Sequence, residues 1–290
     1  MLAIALAPRS MREDRPSTTA LRVAVRRAAH QLLDSPRVFE DPLALAIIGT
    51  EQAAKLSTPE ESENRASRFR AFMAVRSRFA EDELARAVAW GTRQYVILGA
   101  GLDTFAYRNP FPDLRVFEVD HPATQAWKRH RLEAAAIALP ESLTFVPVDF
   151  QKQTFVDGLR GAGFELREAA FFSWLGVTPY LPSETVLATL KSIVSLSPQN
   201  GVAFDFAVPR SSLDQRSHAG FDFLASRVAA AGEPFQGFFE PAELVRQLGD
   251  MGFGHVEDLD ADAINARYFK DRQDGLRVSG ALGHLICARG

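Results

Sequence analysis

The chain has 290 residues, of which 47% are hydrophobic and 24% charged, and it carries a net charge of -3 at pH 7. That length buries a sizeable core as one large domain or two small ones, and the composition is that of an ordinary soluble globular protein. No basic excess argues for nucleic acid or a membrane surface, and no stretch reaches the length of a transmembrane helix, so the expected partner is a small molecule or peptide. Oligomeric state is left open.

Residues 1–16 are expected to form a disordered start. Leu2 to Ala7 is apolar, but no basic segment precedes it and it is shorter than the hydrophobic region of a signal peptide. Helical patterning begins at Ser17, where Ser17, Thr18 or Thr19 can cap, and continues to Leu33 through Leu21, Val23, Val25 and Ala28-Ala29. Arg22, Arg26 and Arg27 read as its solvated face. Ser35-Pro36 ends that helix, and Asp41-Pro42 opens a short one, with Asp41 as cap. Glu60 to Trp90 is the longest periodic stretch, with an apolar stripe of Phe69, Phe72, Met73, Val75, Phe79, Leu84 and Val88. Residues 17–90 thus predict a helical cap. From the residues alone, Arg76 and Arg78 within it are surface charges.

The pattern changes at Gln94, where Gln-Tyr-Val-Ile-Leu-Gly-Ala-Gly-Leu-Asp opens the segment 91–208. Tyr95 to Leu98 reads as a buried strand that breaks into a tight turn at Gly99 and Gly101. Glycine there permits positive φ and close approach of a ligand to the main chain, although an ordinary strand-to-helix turn has the same signature. Val116-Phe117-Glu118-Val119 closes at Asp120, about 20 residues further on, where a carboxylate can accept both ribose hydroxyls. A third run, Leu143 to Val148, closes at Asp149 and Phe150. Three strand tips would then face one crevice.

These tips suit either NAD or S-adenosylmethionine (SAM). Two details favour SAM. A dinucleotide fingerprint wants a third glycine where this chain has Thr104, and Asp149-Phe150 offers an acceptor and an aromatic face to adenine. Asp103 is expected to cap a helix whose N-terminus faces the cofactor's carboxylate. Pro122 to Leu139 reads as a helix with Trp127 and Leu132 inward and a solvated basic face of Lys128, Arg129, His130 and Arg131. His121 reads as a strand-end residue holding the turn.

Asp157 to Glu168 predicts helix and loop, and Ala170 to Val177 a fourth strand buried on both faces. Tyr180 is a core residue or a substrate contact. Ser183 to Leu196 is an amphipathic helix, and Val202 to Val208 the fifth strand. Residues 209–240 contain one helix, around Phe221, Phe223, Leu224 and Val228, then an aromatic loop from Gly232 to Phe239. An insertion of this size at the ligand edge is expected to act as a lid, although a small core of its own also explains its aromatics. Residues 241–290 complete the sheet: a helix from Pro241 to Met251 that Gly252 terminates, a strand at Gly254 to Leu259, a short helix at Ala261 to Arg267, and a reversed last strand at His284 to Arg289. The single cysteine, Cys287, lies in that strand and cannot form an internal disulfide, which suits a reducing cytoplasm.

No histidine pairs with acids or with Cys287 at ligand spacing, so no metal is expected. Nor does any histidine stand out as a general base. A carboxylate acceptor needs none, which favours carboxyl methylation or a phenol acidic enough to need little help.

Several motifs together resemble one family. They are Val-Ile-Leu-Gly-Ala-Gly-Leu-Asp-Thr-Phe-Ala-Tyr-Arg (96 to 108), Val-Phe-Glu-Val-Asp-His-Pro (116 to 122), Lys128 with Arg129, Val-Pro-Val-Asp-Phe (146 to 150), Phe-Phe-Ser-Trp-Leu-Gly-Val-Thr-Pro-Tyr-Leu (171 to 181) and Asn-Ala-Arg-Tyr-Phe (265 to 269). In this order they resemble the leucine carboxyl methyltransferase family, in its bacterial branch of SAM-dependent O-methyltransferases. The resemblance covers nearly the whole chain from Ser17. It implies a Rossmann-like, class I SAM-methyltransferase fold: α/β, with a doubly wound, mostly parallel sheet, an N-terminal helical cap and a lid insertion after strand 5. It also implies methyl transfer from SAM to an oxygen of a small metabolite, or of a protein C-terminal carboxylate.

The resemblance moves Arg76 from the surface to the methionyl carboxylate of SAM, which a guanidinium fork is shaped to grip. With Gly99, Gly101, Asp120, Asp149 and Phe150, Arg76 completes the expected cofactor set. Tyr180, Arg267 and Tyr268 are the substrate candidates, although a tie between the last helix and the sheet explains the latter two equally well. Many relatives carry a glutamate in the fourth-strand motif where this chain has Leu175, so the site is expected to be less polar here. Two rivals share the cofactor residues: an NAD(P)-dependent oxidoreductase and a non-catalytic SAM-binding module.

Overall fold

The computed structural model describes residues 18–56, 64–149, 152–230, 232–280 and 283–290. The expected disordered start, the start of the long helix at Glu60, and Phe150 lie outside the described residues. Seven strands form one sheet in the order β3-β2-β1-β4-β5-β7-β6. They are β1 (Gln94–Leu98), β2 (Arg115–Asp120), β3 (Leu143–Pro147), β4 (Ala170–Trp174), β5 (Gly201–Phe206), β6 (His255–Leu259) and β7 (His284–Arg289). β1 to β5 pair in parallel, and β7 runs antiparallel to both β5 and β6. Strand order reverses between β1 and β4. Their C-terminal edge is therefore the switch point at which open α/β sheets leave a ligand crevice.

Alternation along the strands sends side chains to two cores. Val96 and Leu98 of β1 and Phe117 and Val119 of β2 join Phe172 of β4 on one face, under α6 (Phe155–Gly161), α7 (Ser183–Leu196) and α9 (Pro241–Met251). Tyr95, Ile97, Val116 and Phe171 point the other way, against α4 (Asn64–Ala89) and α10 (Ala261–Tyr268). Helices on both faces make the sheet doubly wound. A third cluster holds α1 (Thr18–Leu33) and α2 (Ala44–Ile48) against Leu102 and Leu132, the latter on α5 (Pro122–Ala134). The short α3 (Thr50–Lys55) follows α2, and the insertion after β5 carries α8 (Gln215–Ala230). No helix among the described residues is long and apolar enough to cross a membrane.

Three local expectations are corrected. No α-helix follows the glycine turn: Asp103 Oδ1 accepts from the Phe105 amide at 2.8 Å and starts only a four-residue 3-10 turn, Phe105–Arg108. Arg27 is no solvated residue. It is 4% exposed, with Nε 2.7 Å from Asp41 Oδ2 and Nη2 donating to the Leu102 carbonyl at 2.6 Å. Lys128, read as part of a solvated basic face, is 1% exposed, and its Nζ lies 2.7 Å from Glu118 Oε2. Helical periodicity marks the apolar face, but it carries no sign of a second neighbour that arrives over a basic residue from elsewhere in the chain.

Candidate active site

The site is built from three strand tips and the start of α1. At the end of β1 the amides of Gly99 and Ala100 both donate to the Val119 carbonyl, at 2.8 and 3.2 Å, which clamps the turn onto β2. Gly99 has φ of 70° and Gly101 φ of 47°. A Cβ on Gly99 would stand 2.6 Å from Val177 Cγ2, and one on Gly101 would stand 3.1 Å from the Ala20 Cβ of α1. Both glycines are therefore required by backbone conformation and by lack of space.

Asp120 closes β2. Its Oδ2 accepts from the Gly101 amide at 2.6 Å and its Oδ1 from the His121 amide at 2.7 Å. Each oxygen spends one acceptor position on the backbone and keeps another for a ligand hydroxyl. Burial pushes the carboxyl above its ordinary value, while the two amide donors pull the other way. His121 caps α5, with Nδ1 accepting from the Ala123 amide at 3.2 Å.

β4 stops at Trp174, three residues earlier than its apolar run suggests, because Gly176 turns the chain at φ of 70°. The Gly176 amide donates to Asp205 Oδ1 at 2.5 Å. Arg76 reaches this corner from α4: it is 5% exposed, with Nη1 3.2 Å from Asp205 Oδ2. The 3-10 turn Thr178–Tyr180 follows, and the loop after α8 is stitched to it, since Gln236 and Gly237 donate to the Pro179 carbonyl at 2.8 and 3.2 Å. Tyr180 packs its ring 5.5 Å from that of Phe235, and burial pushes its phenol up to about 12. Glu233 of the same loop accepts a short hydrogen bond from the Thr19 hydroxyl of α1.

These pieces enclose a cavity of about 180 Å³, lined by Arg76, Gly99, Gly101, Asp120 and Tyr180, and by Thr19, Ala20, Ser173, Leu175, Val177 and Glu233 among others. Asp149 is not among the lining residues: beyond the tip of β3 it pairs with Lys152 at 2.7 Å. Phe150 lies outside the described residues. Arg267 and Tyr268 lie elsewhere. Arg267 Nη1 is 3.2 Å from Glu257 and Nη2 3.2 Å from Glu83, while the Tyr268 hydroxyl is 3.2 Å from Asp82, so they fasten α10 to β6 and α4. Sequence patterning overlooked Asp205 and Glu233. Asp205 was signalled by a lone acid inside the apolar run Val-Ala-Phe-Asp-Phe; Glu233, in a polar loop, was not.

Residues 20–194 match the model of the leucine carboxyl methyltransferase family. Over 300 residues the chain is 32% identical to the "Putative S-adenosyl-L-methionine-dependent methyltransferase YktD" of Bacillus subtilis, with 95% of this chain and 98% of that one aligned. A protein of the same description from Saccharopolyspora erythraea is 36% identical over 282 residues, covering 93% of this chain and 94% of the other. A DUF574 family protein of known structure from Streptomyces avermitilis superposes with a TM-score of 0.53 at 18% identity, covering 90% of this chain and 99% of that one, a likeness of fold alone. The protein whose glycine turn, Asp120 and Arg76 share this cavity belongs to the leucine carboxyl methyltransferase family.

Proposed function

We propose that the protein transfers a methyl group from SAM to a carboxylate or hydroxyl oxygen of a small metabolite. That it is a SAM-dependent methyltransferase follows from its family and relatives. The oxygen acceptor and its small size are the further steps. One observation carries the cofactor assignment: a buried guanidinium, Arg76, and a carboxylate with acceptor positions to spare, Asp120, line the same cavity as the glycine turn. A ligand with a carboxylate at one end and a ribose diol at the other is matched by that pair.

When bound, SAM supplies an electrophilic methyl group on its sulfonium. The chain's own residues hold and align. Arg76 grips the carboxylate, Asp120 accepts from the ribose hydroxyls, and Gly99 and Gly101 let the backbone come close without a Cβ. Asp149, one strand further along the edge, and Phe150, outside the described residues, remain the proposed adenine contacts. A dinucleotide is poorly served. Thr104 stands where the third glycine would, and its hydroxyl is committed to Asp41 Oδ2 at 2.7 Å.

The acceptor side is formed by Leu175, Val177, Leu181 and Tyr180. Among the described residues His121 is the only histidine lining the cavity, and its Nδ1 accepts from the Ala123 amide, which leaves the proton of the neutral ring on Nε2 and no acceptor nitrogen for a substrate hydroxyl. Alignment alone suffices for an acceptor that arrives ionised. We assign the lid role to residues 209–240, whose Glu233 lines the cavity and accepts from the Thr19 hydroxyl of α1.

The test is incubation with methyl-labelled SAM and a panel of carboxylic and phenolic acceptors. Label released as methanol by mild alkali identifies a methyl ester, and alkali-stable label on a phenol identifies an ether. Label carried only on nitrogen, or only on proteins, overturns the proposal.

A further inference from the structure

We infer that Asp205 is a positioning residue, holding the Arg76 guanidinium in the orientation that receives the carboxylate of SAM. This rests on the proposed role of Arg76 and extends it to a residue that does not itself line the cavity.

Asp205 sits in β5 between Phe204 and Phe206 and is only 4% exposed. A charge in that position needs partners, and it has three attachments. Oδ2 faces Arg76 Nη1 at 3.2 Å, Oδ1 accepts from the Gly176 amide at 2.5 Å, and its backbone carbonyl accepts from the Thr178 hydroxyl. The guanidinium lies directly on Gly176: a Cβ there would come within 2.8 Å of both Nη1 and Nη2 and 3.1 Å of Cζ. Gly176 is thus a bare backbone platform for Arg76, and one carboxylate fixes both the platform and the group resting on it.

Two consequences follow from charge. Arg76 is 5% exposed, and a buried cation without a counter-ion is strongly unfavourable, so Asp205 keeps the arginine in place while the site is empty. Among the described residues Asp205 is also the only carboxylate bonded to Arg76, and it takes Nη1 alone. The rest of the planar donor fork stays available for a second anion, and its plane is already set. Asparagine in place of Asp205 has one acceptor oxygen where two are used, so it cannot serve both the turn and the guanidinium.

A purely structural tie between β4 and β5 would affect every ligand of the cavity alike. A positioning role affects only ligands with a carboxylate. The experiment is calorimetric titration of the full chain with SAM and with decarboxylated SAM, on wild type, Asp205→Asn, Asp205→Glu, Arg76→Gln and the Asp205→Asn/Arg76→Gln pair. Expected is a loss of about tenfold in SAM affinity for Asp205→Asn, with decarboxylated SAM unchanged within about twofold, and no additional loss when Arg76 is already glutamine. Asp205→Glu, which keeps the charge but displaces it, should retain part of the preference, and it carries the test should the asparagine variant not fold. Equal weakening of both ligands, or a preference left intact in Asp205→Asn and Asp205→Glu, overturns the inference while leaving Arg76 its role. A wild type without preference, or one that survives Arg76→Gln, removes the premise and overturns both.

Discussion

Glu118 is the residue whose surroundings are most at odds with its charge. It is fully buried in β2, with Lys128 Nζ at 2.7 Å and the Tyr107 hydroxyl at 3.3 Å, and its Oε1 has no hydrogen-bond partner among the described residues. Burial outweighs the lysine and pushes the carboxyl up to about 7, from an ordinary value of 4.5. A carboxyl whose folded value lies above its unfolded one contributes stability that is fully present below pH 4.5 and lost as pH rises through 7. Glu118→Gln mimics the protonated form. Its urea midpoint should therefore gain on wild type between pH 5 and pH 7, by roughly 1 kcal/mol per pH unit. A constant difference across that range would show that Glu118 stays ionised throughout.

At this scale the sequence was readable where a residue answers to its own backbone. Gly99, Gly101 and Asp120 sit where a strand must break and a tip must accept, and all three line the cavity. It was unreadable where a partner comes from far away. Nothing in Lys-Arg-His-Arg (128 to 131) marks the first as the buried one, and nothing local separates Arg76, opposite Asp205, from Arg78, which pairs with Asp82 four residues on at the surface. For Arg76 only the family resemblance pointed inward.

Among elements, the contact that governs the site is that between α1 and the glycine turn. Asp41, 1% exposed, makes it: Oδ2 accepts from Arg27 of α1 at 2.7 Å and from the Thr104 hydroxyl at 2.7 Å, and Oδ1 from the Leu43 amide at 3.1 Å. Removing that carboxylate leaves Arg27 buried without its counter-ion, held among the described residues only through the Leu102 carbonyl, at a cost of about 3 to 5 kcal/mol. Asp41→Ala should accordingly lower the thermal midpoint by several degrees, and a second change, Arg27→Met, should restore part of it. An unaltered midpoint would mean that solvent reaches Arg27 readily. Most helices and strands were legible to within a few residues, because each is a periodic or continuous apolar stretch between breakers, whereas the short α3 (Thr50–Lys55), which has no buried residue, was not expected at all. What was not legible is that the familiar helix after the glycine turn is missing, and that Ala20, from the far end of the cap, covers Gly101 instead. Local propensity describes the segment after Asp103 well enough for either outcome.

For the molecule as a whole, apolar runs alternating with helical stretches implied a mostly parallel sheet with a reversed final strand, and the family resemblance implied that the sheet is doubly wound. That β7 slots between β5 and β6 is settled by pairing across long separations, which no window of sequence contains. One result of this slotting concerns the lone thiol. Cys287 stands in β7 opposite Ala203 on one side and Glu257 on the other, with no exposed surface, and burial holds its thiol well above the usual range. A thiol-reactive dye can reach it only after β7 has parted from its neighbours, so the folded chain carries a built-in stopwatch for opening of its sheet. Labelling in native buffer should proceed at a rate that levels off as dye concentration rises, and that plateau times the opening. Labelling that keeps accelerating with dye would show that the sheet recloses faster than the dye reacts, so that the rate reports the population of the opened state and not the opening step.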